Sequence, residues 1–306
     1  MNRHYVKQKN KCCVLRSIWS NVFGMEKREI SELWTTAGFS HLSASQLLRS
    51  PAKWIFDYLH LTKDERSKVG VGERAAIGTS VHNAVQSIVC HGADIDEAIE
   101  AAQIAFDFHP ADEDDVLRVK FRECIPAMVH QGVNVCVENG FTGAIDEERI
   151  ECWLDDVNVP ILGFVDLLVE GSMFAEMKTK APRKTKLLKD GSQGWAKATL
   201  PKKPEFAHIC QAAIYWHALR VTPSIIYIAE HDAVIFNAYN CEELQADGIN
   251  HALDEMRQKA LIRQNLLKVS TDPKVLASIT DPDWGHMYQW NMKQEWLERA
   301  KELWKI

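Results

Sequence analysis

The sequence predicts a chain of mixed α and β class, with a block of strands bracketed by helices. Three observations predict it. Residues 159–180, VPILGFVDLLVEGSMFAEMKTK, read as a β-hairpin, two apolar runs around the turn signal Glu170-Gly171-Ser172. Two shorter strand-like runs follow at 224–229 and 233–239, with Glu230-His231-Asp232 as the turn between them. Helical periodicity governs the flanks, at about 73–90, 95–106, 114–138, 205–220 and 242–267.

The chain has 306 residues, 46% apolar and 25% charged, enough for one large domain or a core with helical additions. No apolar run approaches a bilayer span and no signal peptide is visible, so a cytoplasmic compartment is expected. Net charge is −6, so any nucleic-acid contact must come from local patches. The eight cysteines, at 12, 13, 90, 124, 136, 152, 210 and 241, form no CxxC pair and no cluster. They read as reduced thiols, and their spacing supports neither zinc nor an iron–sulfur cluster.

In chain order, residues 1–28 are basic, with Arg3, Lys7, Lys9, Lys11, Arg16, Lys27 and Arg28 against Glu26. They read as a solvated arm, or as sequence upstream of a true start at Met25. A first helix is expected near Ser43 or Ser45 in LSASQLLRSPAKWIFDYLH, with Leu47, Leu48, Trp54, Ile55 and Tyr58 inward and Pro51 breaking or bending it. In the 73–90 helix Gly78 and His82 are four apart and share a face. A glycine there suggests close approach by another backbone or a ligand; His82 alone reads as a core histidine. The acidic run 112–115 reads as a helix cap and solvated loop, and strand character starts at Ile150.

The hairpin carries the chemistry. A turn centred on Gly171 sets Asp166 opposite Glu176, and Lys178, two residues on, falls on the same face. Adjacent carboxylates repel unless a cation lies between them, and hard oxygen ligands suit Mg²⁺ or Mn²⁺. A lysine beside them can orient or deprotonate water, or neutralise charge on a phosphate in transfer. After the hairpin Lys180, Arg183, Lys184, Lys186, Lys189, Lys197, Lys202 and Lys203 face Asp190 alone, and Pro182, Gly191, Gly194 and Pro201 argue for a loop. Beside such a site it reads as a phosphate-contacting flap, with Trp195 available to stack on a base. In the 205–220 helix His208, Gln211 and Tyr215 share a polar face able to hold a phosphate or water. The tail aromatics Trp284, Tyr288, Trp290, Trp296 and Trp304 read as a docking surface.

Taken together, these segments resemble the RecB-type branch of the PD-(D/E)XK nucleases, in the family's order over about 175 residues. LSASQLLRSPAKWIFDY is similar to the family's opening segment, Gly78 to His82 to its GxxxH, and Gly163 to Asp166 to its GxxD. Glu176-Met177-Lys178 resembles its ExK, and His208 to Gln211 with Tyr215 its HxxQ…Y. The resemblance implies an α/β (α+β) restriction-endonuclease-like core, a central mixed β-sheet flanked by helices, with N-terminal helical additions. It implies a basic arm over 1–38, one nuclease domain over 39–270 (helical part 39–140, catalytic core 150–240) and an aromatic tail over 271–306. The implied catalytic set is Asp166, Glu176 and Lys178, and the implied ligands of one or two Mg²⁺ or Mn²⁺ ions are Asp166, Glu176, His82 and the Met177 carbonyl. Gln211, Tyr215, Lys180, Arg183, Lys184, Lys186 and Trp195 would contact DNA. Val165 stands where the superfamily's proline would be. Ser50 replaces the cysteine of cluster-bearing members and Cys241 is the last cysteine, so no iron–sulfur cluster is expected. The sequence holds no helicase motif and no GxxxxGK[ST] loop. The expected activity is a stand-alone DNA exonuclease of recombination, repair or genome degradation, of a kind found in phages, acting in the host cytoplasm. Endonuclease or end-trimming work in adaptation or transposition, and an inactive DNA-binding module, are the rivals. Expected partners are DNA with ends, a single-strand annealing or binding protein and a second copy of the chain, with no membrane.

Overall fold

The computed structural model describes residues 28–69, 72–109, 115–286, 290 and 292–305. The arm before residue 28, the acids Asp112 to Asp114, and Tyr288 lie outside them. The fold is α+β, a central sheet of parallel and antiparallel strands with helices on both faces. The strands are β1 (Leu42–Ser43), β2 (Ile145–Cys152), β3 (Ile161–Val169), β4 (Met173–Thr179), β7 (Thr222–Ile228) and β8 (Ala233–Asn237). β3 and β4 form the expected hairpin around Gly171, whose φ of +72° is a conformation L side chains rarely adopt. β2 runs antiparallel along one edge of β3, while β1 pairs with the start of its other edge. β4 and β7 are parallel, and β8 closes antiparallel on β7.

One face is covered by α5 (Glu73–His91), α6 (Ile95–Phe108) and α7 (Asp115–Glu138). The other is covered by α8 (Phe206–Leu219) and α9 (Ala246–Val269), with segments from both chain ends. No helix among the described residues is long and apolar enough to cross a membrane.

Four expectations differ in detail. Residues 28–38 of the arm are folded: α1 (Glu32–Thr36) buries Trp34 completely, so the packed structure begins before residue 39. The opening segment is two short helices, α2 (Ala44–Leu47) and α3 (Pro51–Ile55), followed by a π-helical turn and α4 (Lys63–Lys68). Pro51 starts α3, because its missing N–H is no loss in a first turn and Ser50 caps it from an extended backbone. β2 begins at Ile145, five residues before the expected start. The basic stretch after Lys180 is not all loop: β5 (Arg183–Leu187) and β6 (Gln193–Ala196) form a separate antiparallel pair.

Among the described C-terminal tryptophans, Trp290 and Trp296 pack inward while Trp284 stays exposed. α10 (Pro273–Ala277) and α11 (Gln294–Leu303) lie against the main core, and Trp290 and Trp296 are buried there. Trp284, Trp290 and Trp304 contact one another, and Trp290 also meets Phe56. The surface expected for docking is thus largely spent within the chain.

Candidate active site

The β3–β4 ladder runs from Val169↔Met173 to Leu167↔Ala175 and stops. The next rung would be Asp166 and Glu176. There the strands separate, and the Met177 N–H donates to Asp166 Oδ2 at 2.6 Å instead of to a carbonyl. The Asp166 carbonyl accepts from Gln86 Nε2 of α5 at 2.9 Å. Both carboxylates are buried, Asp166 at 9% exposure and Glu176 at 4%.

α8 supplies the other wall. Gln211 Nε2 donates to Glu176 Oε1 at 2.6 Å and to the Tyr215 hydroxyl at 2.8 Å. Lys178 Nζ donates to Glu176 Oε1 at 2.7 Å and to Gln211 Oε1 at 3.0 Å. Gln211 therefore bridges acid, lysine and tyrosine. Tyr215 is set by Gly163: a Cβ there would lie 2.4 Å from the Tyr215 ring. His208, on the same helix face, bonds instead to the Tyr227 hydroxyl at 2.7 Å.

α5 brings His82 from the opposite side, with Nδ1 3.9 Å from Asp166 Oδ2. The close approach at Gly78 is to a side chain, Thr179 Oγ1, 3.0 Å from where a Cβ would lie, and not to the backbone or ligand expected.

The electrostatics follow from burial. Asp166 is raised to about 6, by desolvation first, with Lys178 and the Met177 N–H opposing. Glu176 is raised to about 7, by desolvation and then by the neighbouring Asp166. His82 is lowered to about 4 by desolvation, then by Lys178, so at neutral pH its ring is uncharged. Burial raises the Tyr215 hydroxyl, keeping it protonated.

Two atoms in this cluster are buried without a hydrogen-bond partner, Glu176 Oε2 and His82 Nε2. Buried polar atoms rarely go unsatisfied. Carboxylate oxygens and a neutral imidazole are the donors a cation such as Mg²⁺ or Mn²⁺ takes, so the chemistry of the set fits. Among the described residues, however, no three His, Cys, Asp or Glu side chains gather closely enough to hold a metal ion. The donors are present and two are unsatisfied, but the cage is not closed.

The cluster thus brings together Asp166, Glu176, Lys178, Gln211 and Tyr215, with His82 at its margin and Met177 tied in through its N–H. Lys180 lies just past the end of β4, ion-paired with Glu205 and over the Tyr227 ring. Arg183, Lys184 and Lys186 are exposed on β5, and Trp195 is half-buried on β6. These four belong to the separate two-stranded sheet, not to the acid cluster.

Two neighbours escaped the sequence reading. Gln86 is four residues past His82, a spacing that puts it on the same helix face. Glu147 falls on β2 between the pairs Asp146↔Leu167 and Glu148↔Val165, hence across from Asp166. It has a φ of +48° and accepts from Gln86 Nε2 at 3.3 Å. Starting the strand at Ile150 hid it.

No family model matches the chain, and no curated protein matches it. Among solved structures, the chain is similar to a protein from Eubacterium rectale described as a candidate exonuclease. Identity is 11%, over 78% of this chain and 84% of that one, with a TM-score of 0.47. It is more distantly similar to a protein called SSO0001, at 14% identity over 61% of this chain and 74% of that one, with a TM-score of 0.26.

Proposed function

We propose that this chain is a divalent-metal-dependent nuclease that hydrolyses DNA phosphodiester bonds, preferentially at ends. The observation that carries the reading is the pair Asp166 and Glu176 at the ladder's divergence, with Lys178 bound to one acid and a Glu176 oxygen left unpartnered.

In this reading Asp166 and Glu176, with His82 and the Met177 carbonyl, would hold one or two Mg²⁺ or Mn²⁺ ions, which would polarise the phosphate and lower the pKa of a bound water. Lys178 orients the attacking water and offsets charge that builds on the phosphate. Gln211 holds Lys178 and Glu176 in register, and Tyr215 fixes Gln211 against Gly163. The basic residues beyond β4, with Trp195, track the strand. Such an enzyme would serve recombination, repair or genome degradation, beside a single-strand annealing or binding protein.

The test incubates linear and covalently closed DNA with Mg²⁺ or Mn²⁺, for the parent and for Glu176→Ala and Lys178→Ala. Loss of linear DNA alone, abolished in both variants, is the expected result. Cleavage of closed circles would move the reading to an endonuclease. No cleavage with either metal, with DNA binding retained, would leave a binding module in its place.

A further inference from the structure

Just past Lys178, the end of β4 opens onto a cavity of about 400 Å³ whose polar walls are Arg74, Thr179, Lys180, Arg183 and Thr199. Among the described residues no carboxylate lines it. Glu205 beside it is paired with Lys180, and Glu73, the residue before Arg74, is buried. Arg74 is the second residue of α5, whose N-cap Gly72 offers no side-chain cap. Its guanidinium is fixed by donating to the carbonyls of Ala181 at 3.3 Å and Pro182 at 3.2 Å, two of the five N–H donors such a group carries.

Two features favour an anion as ligand. Arg74 and Arg183 line the same cavity, and burial first and then the Arg183 charge lower the Arg74 pKa. Holding like charges together at one cavity costs free energy unless an anion lies between them. The helix end also contributes positive potential, which the first-turn Glu73 offsets in part. The cavity and the acid cluster draw on the same two elements, β4 and α5. Thr179 follows Lys178 on β4, and its Oγ1 abuts α5 at Gly78, one turn before His82.

We propose that this cavity binds a phosphate group of the strand being cut, with Arg74 and Arg183 as charged walls and Thr179 and Thr199 as hydroxyl donors. The proposal rests on the nuclease reading above and specifies how that site would grip its substrate. A terminal phosphomonoester and an internal phosphodiester share the chemistry recognised.

The test measures binding in EDTA, so that it does not depend on cleavage. Fluorescent single-stranded and duplex oligonucleotides carry a 5′-phosphate, a 3′-phosphate or hydroxyl ends only. Parent protein is compared with Arg74→Gln and Arg183→Gln, the second at an exposed position on β5 where folding is not at stake. Each variant is expected to bind about tenfold more weakly or worse, with a shallower salt dependence. Loss confined to phosphorylated ends assigns the cavity to a chain end, and equal loss on all substrates assigns it to an internal phosphate. Unchanged affinity of folded Arg183→Gln for every substrate overturns the proposal, whether or not the parent cleaves. Phosphate-dependent binding with no cleavage in Mg²⁺ or Mn²⁺ would instead remove the nuclease reading and keep the cavity's ligand.

Discussion

Replacing Glu176 by glutamine is expected to stabilise the metal-free protein, and to do so only at neutral and alkaline pH. The carboxyl titrates near 7 in the folded chain against an ordinary 4.5. A group whose folded pKa is raised favours folding below its unfolded value, and that contribution is lost as pH climbs through the folded one. For Glu176 the window runs from 4.5 to about 7. Across it the ionised side chain makes folding about 3 kcal/mol less favourable, at 1.36 kcal/mol per pKa unit. That figure already contains the attraction of Lys178, one of the groups opposing the rise. Glutamine keeps the shape and never ionises. The stability gap between E176Q and parent is therefore expected to widen by about 2 to 3 kcal/mol between pH 5 and pH 8, roughly 5 °C in Tm. Thermal unfolding in EDTA across that range reads it directly. A gap that is constant or narrows with pH would refute the claim that burial of the charge at position 176 outweighs the attraction of Lys178. Adding Mn²⁺ at pH 8 is expected to raise the parent's Tm far more than the variant's, since a ligand stabilises only the state that binds it.

Gly163→Ala forces a methyl into the Tyr215 ring, and overpacking of that kind costs about 1 to 3 kcal/mol. Chemical denaturation measures the loss, and cleavage is expected to fall with it because Gln211 loses its anchor. Lys178→Met is expected to lower the cleavage rate by about 10² to 10⁴ with little change in DNA affinity, read by single-turnover kinetics beside anisotropy. Cleavage in the parent is expected to rise as pH climbs through about 6 to 7, where Asp166 and Glu176 ionise, and then to level off. Excess metal shifts that rise to lower pH, since a cation favours the ionised forms. Trp290→Ala, outside the cluster and buried beside Phe56, is expected to cost about 3 to 5 kcal/mol of stability while the folded fraction keeps its cleavage rate.

Much of the frame was legible because it is written in apolar runs. The strands within 159–180 and at 222–228 bury more than half of their positions, and the turn between the first two is centred on a glycine. That one glycine fixes the register, and the register sets Asp166 beside Glu176. Elements without a buried face were not legible. Every residue of β5 is exposed, so its lysines and arginine show no alternation to mark a strand. The tail tryptophans pose the opposite problem. Their apolar surface is plain, but whether it meets Phe56 or a partner depends on a fold the local sequence does not encode.

The least legible feature is the one that shapes the cluster. Strict alternation along β3 would put Val165 and Leu167 on one face. Instead Val165 and Leu168 belong to the core under α8, and Leu167 to the core under α5. The strand changes face at Asp166. Its partner position on β2 is Glu147, whose backbone takes a φ of +48° that costs an L-residue on the order of 1 to 3 kcal/mol. This break takes Asp166 out of the ladder. With no cross-strand partner, its carbonyl accepts from Gln86 and its carboxylate accepts from the Met177 N–H. Unbroken ladders would have satisfied the Asp166 carbonyl from β2 and the Met177 N–H from position 165 of β3, and closed the gap between β3 and β4. The position of the two acids was thus readable from the turn, whereas the opening that leaves a Glu176 oxygen unpartnered comes from a strained residue on a third strand.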